Sequence, residues 1–280
     1  MRTIMAAAVL AATTLTIMLP SAAMAAVQTE EVSYDGGGVT MKGLVAWDDS
    51  IKGKRPGVLV VHEWWGNNEY SRERAQQIAA LGYVAMAIDM YGDGKTAAHP
   101  DNAMAFMTEA TKNADQAAAR FQAAMTLLQK RKTVDPSRIA AIGYCFGGAV
   151  VLNMARRGAE LRGVASFHGA LGAWAPVQKD KVRAKVLVMT GADDGMIPAE
   201  AVQKFETEMK GAGADYRVIV YPGAKHGFTN PGADENAKKF GIPLGYDAAA
   251  DAASWAELQT FLTQVFRVPK SEVPMRSGGY

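Results

Sequence analysis

The stretch Ile142-Gly143-Tyr144-Cys145-Phe146-Gly147-Gly148 decides how the rest of the chain is interpreted. Arg138 to Ile142 is a short apolar run typical of a strand, and Phe146 to Arg157 carries apolar residues at helical spacing. Between them, Gly-x-Cys-x-Gly holds the only cysteine of the chain. This pattern predicts a nucleophile elbow, a tight strand-to-helix turn whose glycines let the backbone approach itself while one side chain rises above a sheet. Cys145 occupies the apex of this turn, a position that is usually serine.

The composition is that of an ordinary globular protein, with 49% hydrophobic and 21% charged residues. The formal net charge is +2 with both signs mixed, so neither nucleic acid nor an anionic membrane is indicated as a partner. Because no linker, repeat or break in composition interrupts the chain, we expect one domain over residues 26–267 and a flexible tail over 268–280.

Residues 1–25 have the features of a cleaved secretory signal peptide. Arg2 supplies the positive start, Ile4 to Leu19 is apolar, and Ala23-Met24-Ala25 fits the small-x-small cleavage rule. A membrane anchor is the alternative, but three threonines interrupt the short apolar run. We therefore expect an exported protein, periplasmic or secreted, with no membrane span after signal cleavage. A lone cysteine in such a compartment cannot form an intramolecular disulfide, and a buried inert thiol is its alternative interpretation.

Strands alternate with helices along the mature chain, which predicts an α/β protein with a mostly parallel central sheet flanked by helices on both faces. The strands expected to be buried on both sides are continuous apolar runs. Gly57–Val61 and Tyr83–Ile88 are such strands, and further strands are predicted before Cys145 and at Gly163–Phe167, Lys185–Met189 and Arg217–Tyr221. Near the C-terminus, Thr229–Asp247 is predicted to be a long polar loop and Ala248–Phe266 a closing helix.

Residues able to do chemistry follow these strands at their carboxyl ends, where open α/β sheets bind ligands. This placement favours an enzyme, and the residues concerned are His62, Glu63, Tyr91, Cys145, His168, Asp194 and His226.

A thiol nucleophile needs a base to take its proton and a third group to fix the tautomer of that base. An acid and then a histidine should follow the elbow in chain order. Asp194 lies 49 residues after Cys145, and His226 lies a further 32 residues along. Asp193 is the alternative acid, and the distance to the Ile197-Pro198 pair favours Asp194.

Four segments together resemble the dienelactone hydrolase family of the α/β-hydrolases, over about residues 39–266. They are His62-Glu63-Trp64-Trp65-Gly66, Gly143-Tyr144-Cys145-Phe146-Gly147-Gly148, Gly191-x-x-Asp194-x-x-Ile197-Pro198 and His226-Gly227-Phe228. The resemblance implies an α/β-hydrolase fold and a hydrolase that cleaves an ester or lactone bond through a thioester acyl-enzyme.

The resemblance also implies roles for individual residues. Cys145 would be the nucleophile, His226 the general base and acid, and Asp194 the residue that orients His226. Glu63 would contact the resting thiol and couple thiolate formation to substrate binding. The backbone N–H groups of Trp64 and Phe146 would form the oxyanion hole.

The sequence departs from the family where dienelactone-opening members carry arginines that hold the substrate carboxylate. The corresponding neighbourhoods, 89–95 and 226–230, contain no arginine, and Lys95 is their only candidate cation. The resemblance therefore supports the type of reaction more strongly than it supports dienelactone as the substrate. We expect a small-molecule ester or lactone substrate, no cofactor and a monomer, with a dimer as the alternative.

Aromatic and histidine residues near these segments are candidates for a substrate pocket, although each could equally be an ordinary core residue. They are Trp65, Tyr91, His168, Trp174 and Phe228, with Trp64 beside them. His62 is interpreted as a packed residue that bonds the backbone. No metal site is expected, since His62, Glu63, His168 and His226 lack compact ligand spacing.

Two other functions remain open. The same site could act on thioesters or peptides. The chain could instead be a non-catalytic binding or sensor protein in which Cys145 is an oxidisable thiol.

Overall fold

The structure is a computed structural model that describes residues 27–267. The predicted signal peptide at 1–25 and the predicted tail at 268–280 lie outside the described residues.

Eight strands form one sheet in the order β1-β2-β4-β3-β5-β6-β7-β8. The first two strands pair antiparallel with each other, β2 pairs antiparallel with β4, and every other pairing is parallel. The predicted mostly parallel sheet is thereby confirmed. The strands are β1 (Val27–Asp35), β2 (Thr40–Asp48), β3 (Arg55–Val61), β4 (Val84–Ile88), β5 (Val134–Tyr144), β6 (Gly163–Phe167), β7 (Lys185–Gly191) and β8 (Tyr216–Tyr221).

Helices cover both faces of this sheet, as predicted. Buried side chains of α1 and α7 pack on one face, and those of α2, α3, α4 and α5 pack on the other. The central strands β3, β4 and β6 are buried along their whole length, as their continuous apolar sequences predict. The helices are α1 (Glu69–Ala80), α2 (Pro100–Thr111), α3 (Ala114–Gln129), α4 (Phe146–Arg156), α5 (Ala199–Gly211), α6 (Ala233–Phe240) and α7 (Ala248–Arg267).

Helix α6 corrects the prediction of a loop over Thr229–Asp247. Its polar residues are arranged as a helix prefers, because Asp234 and Glu235 lie in the first turn and Lys238 and Lys239 in the last. Gly241 ends the helix in the left-handed conformation, with φ of 66°. The high polar content predicted a loop, whereas the order of the charges specifies a surface helix.

The parallel strands bring their carboxyl ends to one edge of the sheet, where the segments after β3, β5, β7 and β8 meet. Within residues 27–267, no helix is long and apolar enough to span a membrane.

Candidate active site

Cys145 occupies the turn between β5 and α4 in a backbone conformation that is rare for a side-chain-bearing residue, with φ of 52° and ψ of −113°. Such conformations cost about 1–3 kcal/mol and persist only where the surroundings impose them. Here the Cys145 N–H donates to the Phe167 carbonyl at 2.9 Å, and the Cys145 carbonyl accepts from the Ala149 N–H at 3.3 Å. The half-buried thiol is therefore held in one position.

The two glycines of the elbow are required by close backbone contacts. A Cβ atom at Gly143 would lie 2.1 Å from the Gly147 carbonyl oxygen. A Cβ atom at Gly147 would lie 2.2 Å from the Val61 carbonyl oxygen and 2.7 Å from that of His62. The first turn of α4 is thus pressed against the segment that leaves β3, so the two predicted sources of oxyanion donors are neighbours.

His226 and Asp194 complete one hydrogen-bonded chain with the thiol. The Nε2 atom of His226 lies 3.1 Å from Cys145 Sγ, and its Nδ1 atom lies 2.9 Å from Asp194 Oδ2. Burial disfavours a charged His226, but the charge of Cys145 as a thiolate and the hydrogen bonds to Asp194 and Cys145 outweigh it. The net effect raises the pKa of His226 above its ordinary value. The arrangement can transfer a proton from sulfur to imidazole.

The structure distinguishes the two neighbouring aspartates. Asp194 is buried and its Oδ1 atom accepts hydrogen bonds from the N–H groups of Met196 and Ile197, at 2.9 and 3.2 Å. Asp193 is exposed. Asp194 is therefore the carboxylate that meets His226.

Glu63 reaches the same site but is hydrogen-bonded to a different partner from the one that the family resemblance implies. Its Oε2 atom accepts a hydrogen bond from Asn230 Nδ2 at 2.6 Å, rather than from the thiol. Burial raises the pKa of Glu63 from 4.5 to about 7, against the Asn230 hydrogen bond and the charges of His226 and Arg74, which lower it. The Glu63 carboxyl group therefore titrates near neutral pH.

Asn230, which the sequence analysis did not single out, lies four residues after His226 on the same segment. Its position in the sequence resembles that of any polar loop residue. Its role becomes visible only in the folded structure, where its amide group contacts the Glu63 carboxylate, 167 positions earlier in the chain.

A buried network fixes the segment that carries His226. Arg74 of α1 donates through Nη2 to the Thr229 carbonyl and to Asp251 of α7, both at 2.6 Å. The Thr229 hydroxyl lies 2.7 Å from the Tyr70 hydroxyl and 2.8 Å from His168 Nε2. None of Tyr70, Arg74 and Thr229 was predicted, because contacts of this kind link residues far apart in the chain.

Phe146 and Trp64 lie on the two segments that meet at Gly147, the start of α4 and the turn after β3. Phe146 is the first residue of α4, so its N–H group belongs to the helix end that has no intrahelical acceptor. Trp64 lies in the turn after β3. Their assignment as oxyanion donors stays a prediction.

The predicted pocket residues fall into two groups. Tyr91, His168 and Phe228 are buried, and the Tyr91 hydroxyl donates to the Trp64 carbonyl at 2.9 Å. The rings of His168 and Phe228 pack against each other, and His168 also packs against His226. These three residues pack within the core next to the site, and their assignment as pocket residues stays a prediction.

Trp65 and Trp174 have different neighbours from these three residues. Trp65 is 6% exposed and packs against Trp64 and against Phe240 of α6. Trp174 lines a surface cavity of about 240 Å³ together with Asn153, Arg156 and Arg157. Asn153 is eight residues beyond Cys145 along α4, roughly 12 Å at 1.5 Å per residue, so this cavity is separate from the thiol.

Both ring nitrogens of His62 form hydrogen bonds with backbone groups, as predicted. Nδ1 bonds to the Glu63 carbonyl, and Nε2 bonds to the Met90 N–H.

Across the part of the chain that the structure describes, no group of three or more His, Cys, Asp or Glu side chains could hold a metal ion.

Comparison with known proteins agrees with this geometry. The sequence model of the dienelactone hydrolase family matches residues 41–266. The "Putative carboxymethylenebutenolidase" of Synechocystis sp. is 28% identical over 230 residues, which cover 76% of this chain and 88% of the relative. The dienelactone hydrolase-like promiscuous phosphotriesterase P91, from metagenomic libraries, has a TM-score of 0.80 and 35% identity, covering 86% of this chain and 99% of its own.

MGS-M1, an α/β-hydrolase from a deep-sea metagenome library, shares the fold at 16% identity and a TM-score of 0.61, covering 86% of this chain and 99% of its own. The fold is therefore that of the α/β-hydrolases, as the resemblance implied. The chain belongs to the dienelactone hydrolase family. It is accordingly a hydrolase that acts on ester or lactone bonds.

Proposed function

We propose that this protein hydrolyses small uncharged esters or lactones with a Cys145-His226-Asp194 triad, through a thioester acyl-enzyme. The observation that carries the proposal is the unbroken hydrogen-bonded chain from Asp194 Oδ2 through His226 to Cys145 Sγ, at 2.9 and 3.1 Å.

The reaction begins when His226 Nε2 takes the thiol proton and Cys145 Sγ forms a bond to the carbonyl carbon. The carbonyl electron pair moves to oxygen, where the N–H groups of Trp64 and Phe146 stabilise the oxyanion. Collapse of this intermediate breaks the C–O bond, and His226 gives its proton to the leaving alkoxide. Water, deprotonated by His226, then attacks the thioester. The carboxylic acid leaves, and the thiolate regains its proton.

The charges around the thiol favour an uncharged acyl group. Asn230 is committed to Glu63, and Lys95 is an exposed residue whose ammonium group lies 3.7 Å from the Asp93 carboxylate. Lys95 is the only cation within 89–95 and 226–230, and Asp93 already neutralises its charge, so neither neighbourhood offers a free cation to a substrate carboxylate. An unpaired carboxylate is costly to remove from water. We therefore expect kcat/KM to be at least about tenfold higher for a neutral ester than for a matched ester with an acyl-chain carboxylate, a ratio that corresponds to about 1.4 kcal/mol.

The decisive experiment compares Cys145→Ala with the wild-type protein on activated aryl esters and simple lactones. Removal of a triad nucleophile should lower kcat by more than about 10³-fold. The melting temperature should stay close to that of the wild type, and mass spectrometry of the wild type should detect the acyl adduct on Cys145. A Cys145→Ala protein with full activity would contradict the proposal.

Comparing kcat/KM across oxygen esters, thioesters and peptides then tests the thioesterase and peptidase alternatives. A binding or sensor protein would turn over none of these substrates.

Phosphotriester hydrolysis is a second candidate, favoured by the 35% identity to the phosphotriesterase P91 over nearly all of that chain. Cys145 Sγ would form a bond to phosphorus and expel an aryloxide, and water would then break the S–P bond. Steady release of nitrophenol from a diethyl aryl phosphate, abolished in Cys145→Ala, would support this activity. A single burst that leaves the enzyme phosphorylated would contradict turnover.

We also propose that residues 1–25 direct export. The support is the charged start, apolar run and small-x-small site of the sequence. Recovery of a processed chain outside the cytoplasm, with its new N-terminus near Ala26, is the expected result. Retention of unprocessed chain in the cytoplasm would contradict it.

A further inference from the structure

The side chain of His62 is fully buried at the end of β3, and its hydrogen bonds define its protonation state. Its Nε2 atom is 3.2 Å from the Met90 N–H, which can only donate, so Nε2 carries no proton. Burial lowers the pKa of His62, which keeps the ring neutral. The single ring proton is therefore on Nδ1 and is donated to the Glu63 carbonyl, 2.5 Å away.

This hydrogen bond orients the peptide that joins Glu63 to Trp64. The carbonyl of Glu63 and the N–H of Trp64 belong to one planar trans peptide and point to opposite sides of it. Holding the carbonyl oxygen with His62 Nδ1, and with the Gly66 N–H at 3.2 Å, therefore also sets the direction of the Trp64 N–H.

Tyr91 holds the next peptide in the same turn. Its hydroxyl donates to the Trp64 carbonyl at 2.9 Å, and its ring packs edge-on against His62 with centroids 4.7 Å apart. The two peptides that flank Trp64 are thus fixed by two neighbouring buried side chains.

The fixed turn lies against the helix that begins after the thiol. The His62 ring is 5.6 Å from the ring of Phe146, and Gly147 packs against the carbonyls of Val61 and His62. The segment that carries the Trp64 peptide therefore packs against the start of α4, where the Phe146 peptide directly follows Cys145.

We infer that His62, assisted by Tyr91, is the positioning residue of the oxyanion hole, acting through the Glu63–Trp64 peptide. The inference rests on the proposed function. Without the Nδ1 proton, the Glu63 carbonyl keeps only the longer hydrogen bond from the Gly66 N–H, so the peptide can rotate and the Trp64 N–H no longer meets the developing oxyanion. The loss of one oxyanion donor costs about 10²–10³ in kcat, and a misdirected donor should cost somewhat less.

The test uses two reactions of the same thiol. Ester hydrolysis needs both the nucleophile and the oxyanion hole, whereas alkylation of Cys145 by iodoacetamide proceeds at a saturated carbon and forms no oxyanion. His62→Leu should lower kcat for an activated aryl ester by about 10- to 100-fold. Its KM and its alkylation rate should stay within about threefold of the wild type, since ground-state binding and the thiolate are untouched.

Matched variants separate positioning from packing. His62→Asn keeps an N–H donor near the place of Nδ1 and should recover most of the lost kcat. Tyr91→Phe removes only the hydroxyl bond to Trp64 and should show a smaller fall in kcat with unchanged alkylation. His99→Leu makes the same change at an exposed histidine, which caps α2, and should keep the wild-type kcat and alkylation rate.

Equal losses of kcat and of alkylation in His62→Leu would overturn the inference, because His62 would then act on the thiol. A fully active His62→Leu, beside an active wild type, would overturn it as well. If His62→Leu does not fold, the Tyr91→Phe result decides by the same two rates. A wild-type protein without ester turnover would overturn the proposed function itself, and the positioning role with it.

Discussion

At the scale of single residues, Asp194 shows how one side chain can hold a histidine in one tautomer. Its Oδ1 atom is occupied by the N–H groups of Met196 and Ile197, which leaves Oδ2 for His226 Nδ1. A carboxylate only accepts, so Nδ1 must carry the proton and Nε2 is free to take one from the thiol.

Asp194→Asn should reverse this tautomer. The amide oxygen would keep the two backbone N–H groups, and the NH₂ group would then face Nδ1 and require it to accept. His226 would carry its proton on Nε2 and could not act as a base towards Cys145. We expect kcat to fall by about 10³–10⁴-fold with little change in KM, measured on the ester that the wild type hydrolyses best.

Asp193→Asn is the control for that experiment, because it makes the same change at the exposed neighbouring position. It should retain wild-type kcat. An Asp193→Asn variant as impaired as Asp194→Asn would show that the loop, rather than the tautomer, is responsible.

Glu63 should make stability depend on pH in a definite direction. Burial raises its pKa from 4.5 to about 7, so the folded protein holds this proton more tightly than the unfolded chain. The contribution of Glu63 to stability is therefore greatest below pH 4.5, falls as the pH rises to 7, and is constant above. A shift of this size corresponds to roughly 3 kcal/mol.

Glu63→Gln removes the titrating group and leaves an oxygen to accept from Asn230. Urea unfolding at pH 5 and pH 8 should show the variant gaining stability relative to the wild type at the higher pH. If the stability difference between the two proteins is the same at both pH values, the pKa of Glu63 is not raised.

At the scale of elements, the site depends on how closely α4 approaches the end of β3. Gly147→Ala would improve the helix propensity of α4, but its Cβ would lie 2.2 Å from the Val61 carbonyl oxygen. That neighbour is a backbone atom of a buried strand and cannot easily move. We therefore expect the unfolding free energy to fall by about 1–3 kcal/mol, measured by chemical denaturation.

Gly211→Ala in the last turn of α5 is the matched control, because nothing lies within 4 Å of a Cβ added there. It should be neutral or stabilising by up to about 1 kcal/mol. A Gly147→Ala protein as stable as Gly211→Ala would mean that α4 can move away from β3 at little cost.

At the scale of the whole molecule, Arg74 joins three parts of the fold. It lies on α1, donates to the Thr229 carbonyl on the segment after His226, and forms a partly buried ion pair with Asp251 of α7. Its guanidinium also lies 5.3–5.6 Å from the rings of Tyr70, Tyr144 and Trp255.

Arg74→Met should destabilise the protein by about 3–5 kcal/mol, because it leaves the Asp251 carboxylate and the Thr229 carbonyl without their shared donor. The same change at Arg72, two residues earlier on α1, removes a largely exposed pair with Glu31 and a hydrogen bond to the Asn67 carbonyl, and should cost only about 1 kcal/mol. Similar losses in the two variants would show that the Arg74 network contributes no more than a surface ion pair.

The sequence predicted both the central strands and the grouping of the site residues at one edge of the sheet. Continuous apolar runs of five to seven residues are typical of strands covered on both sides, so β3, β4 and β6 could be placed from the sequence. Because parallel strands end at the same edge of a sheet, the residues after them could be grouped before any contact was known. Helix α6 was missed because its polar content resembled a loop.

What the sequence determined by itself was the elbow around Cys145 and the order of its partners. Both depend on local spacing and on the direction of the strands. Only the tertiary structure decided that Asn230 is the partner of Glu63, that Asp194 rather than Asp193 meets His226, and that Tyr91 supports the turn from inside. Those contacts join residues distant in the chain, and hydrogen-bond geometry is defined only when packing has brought the atoms together.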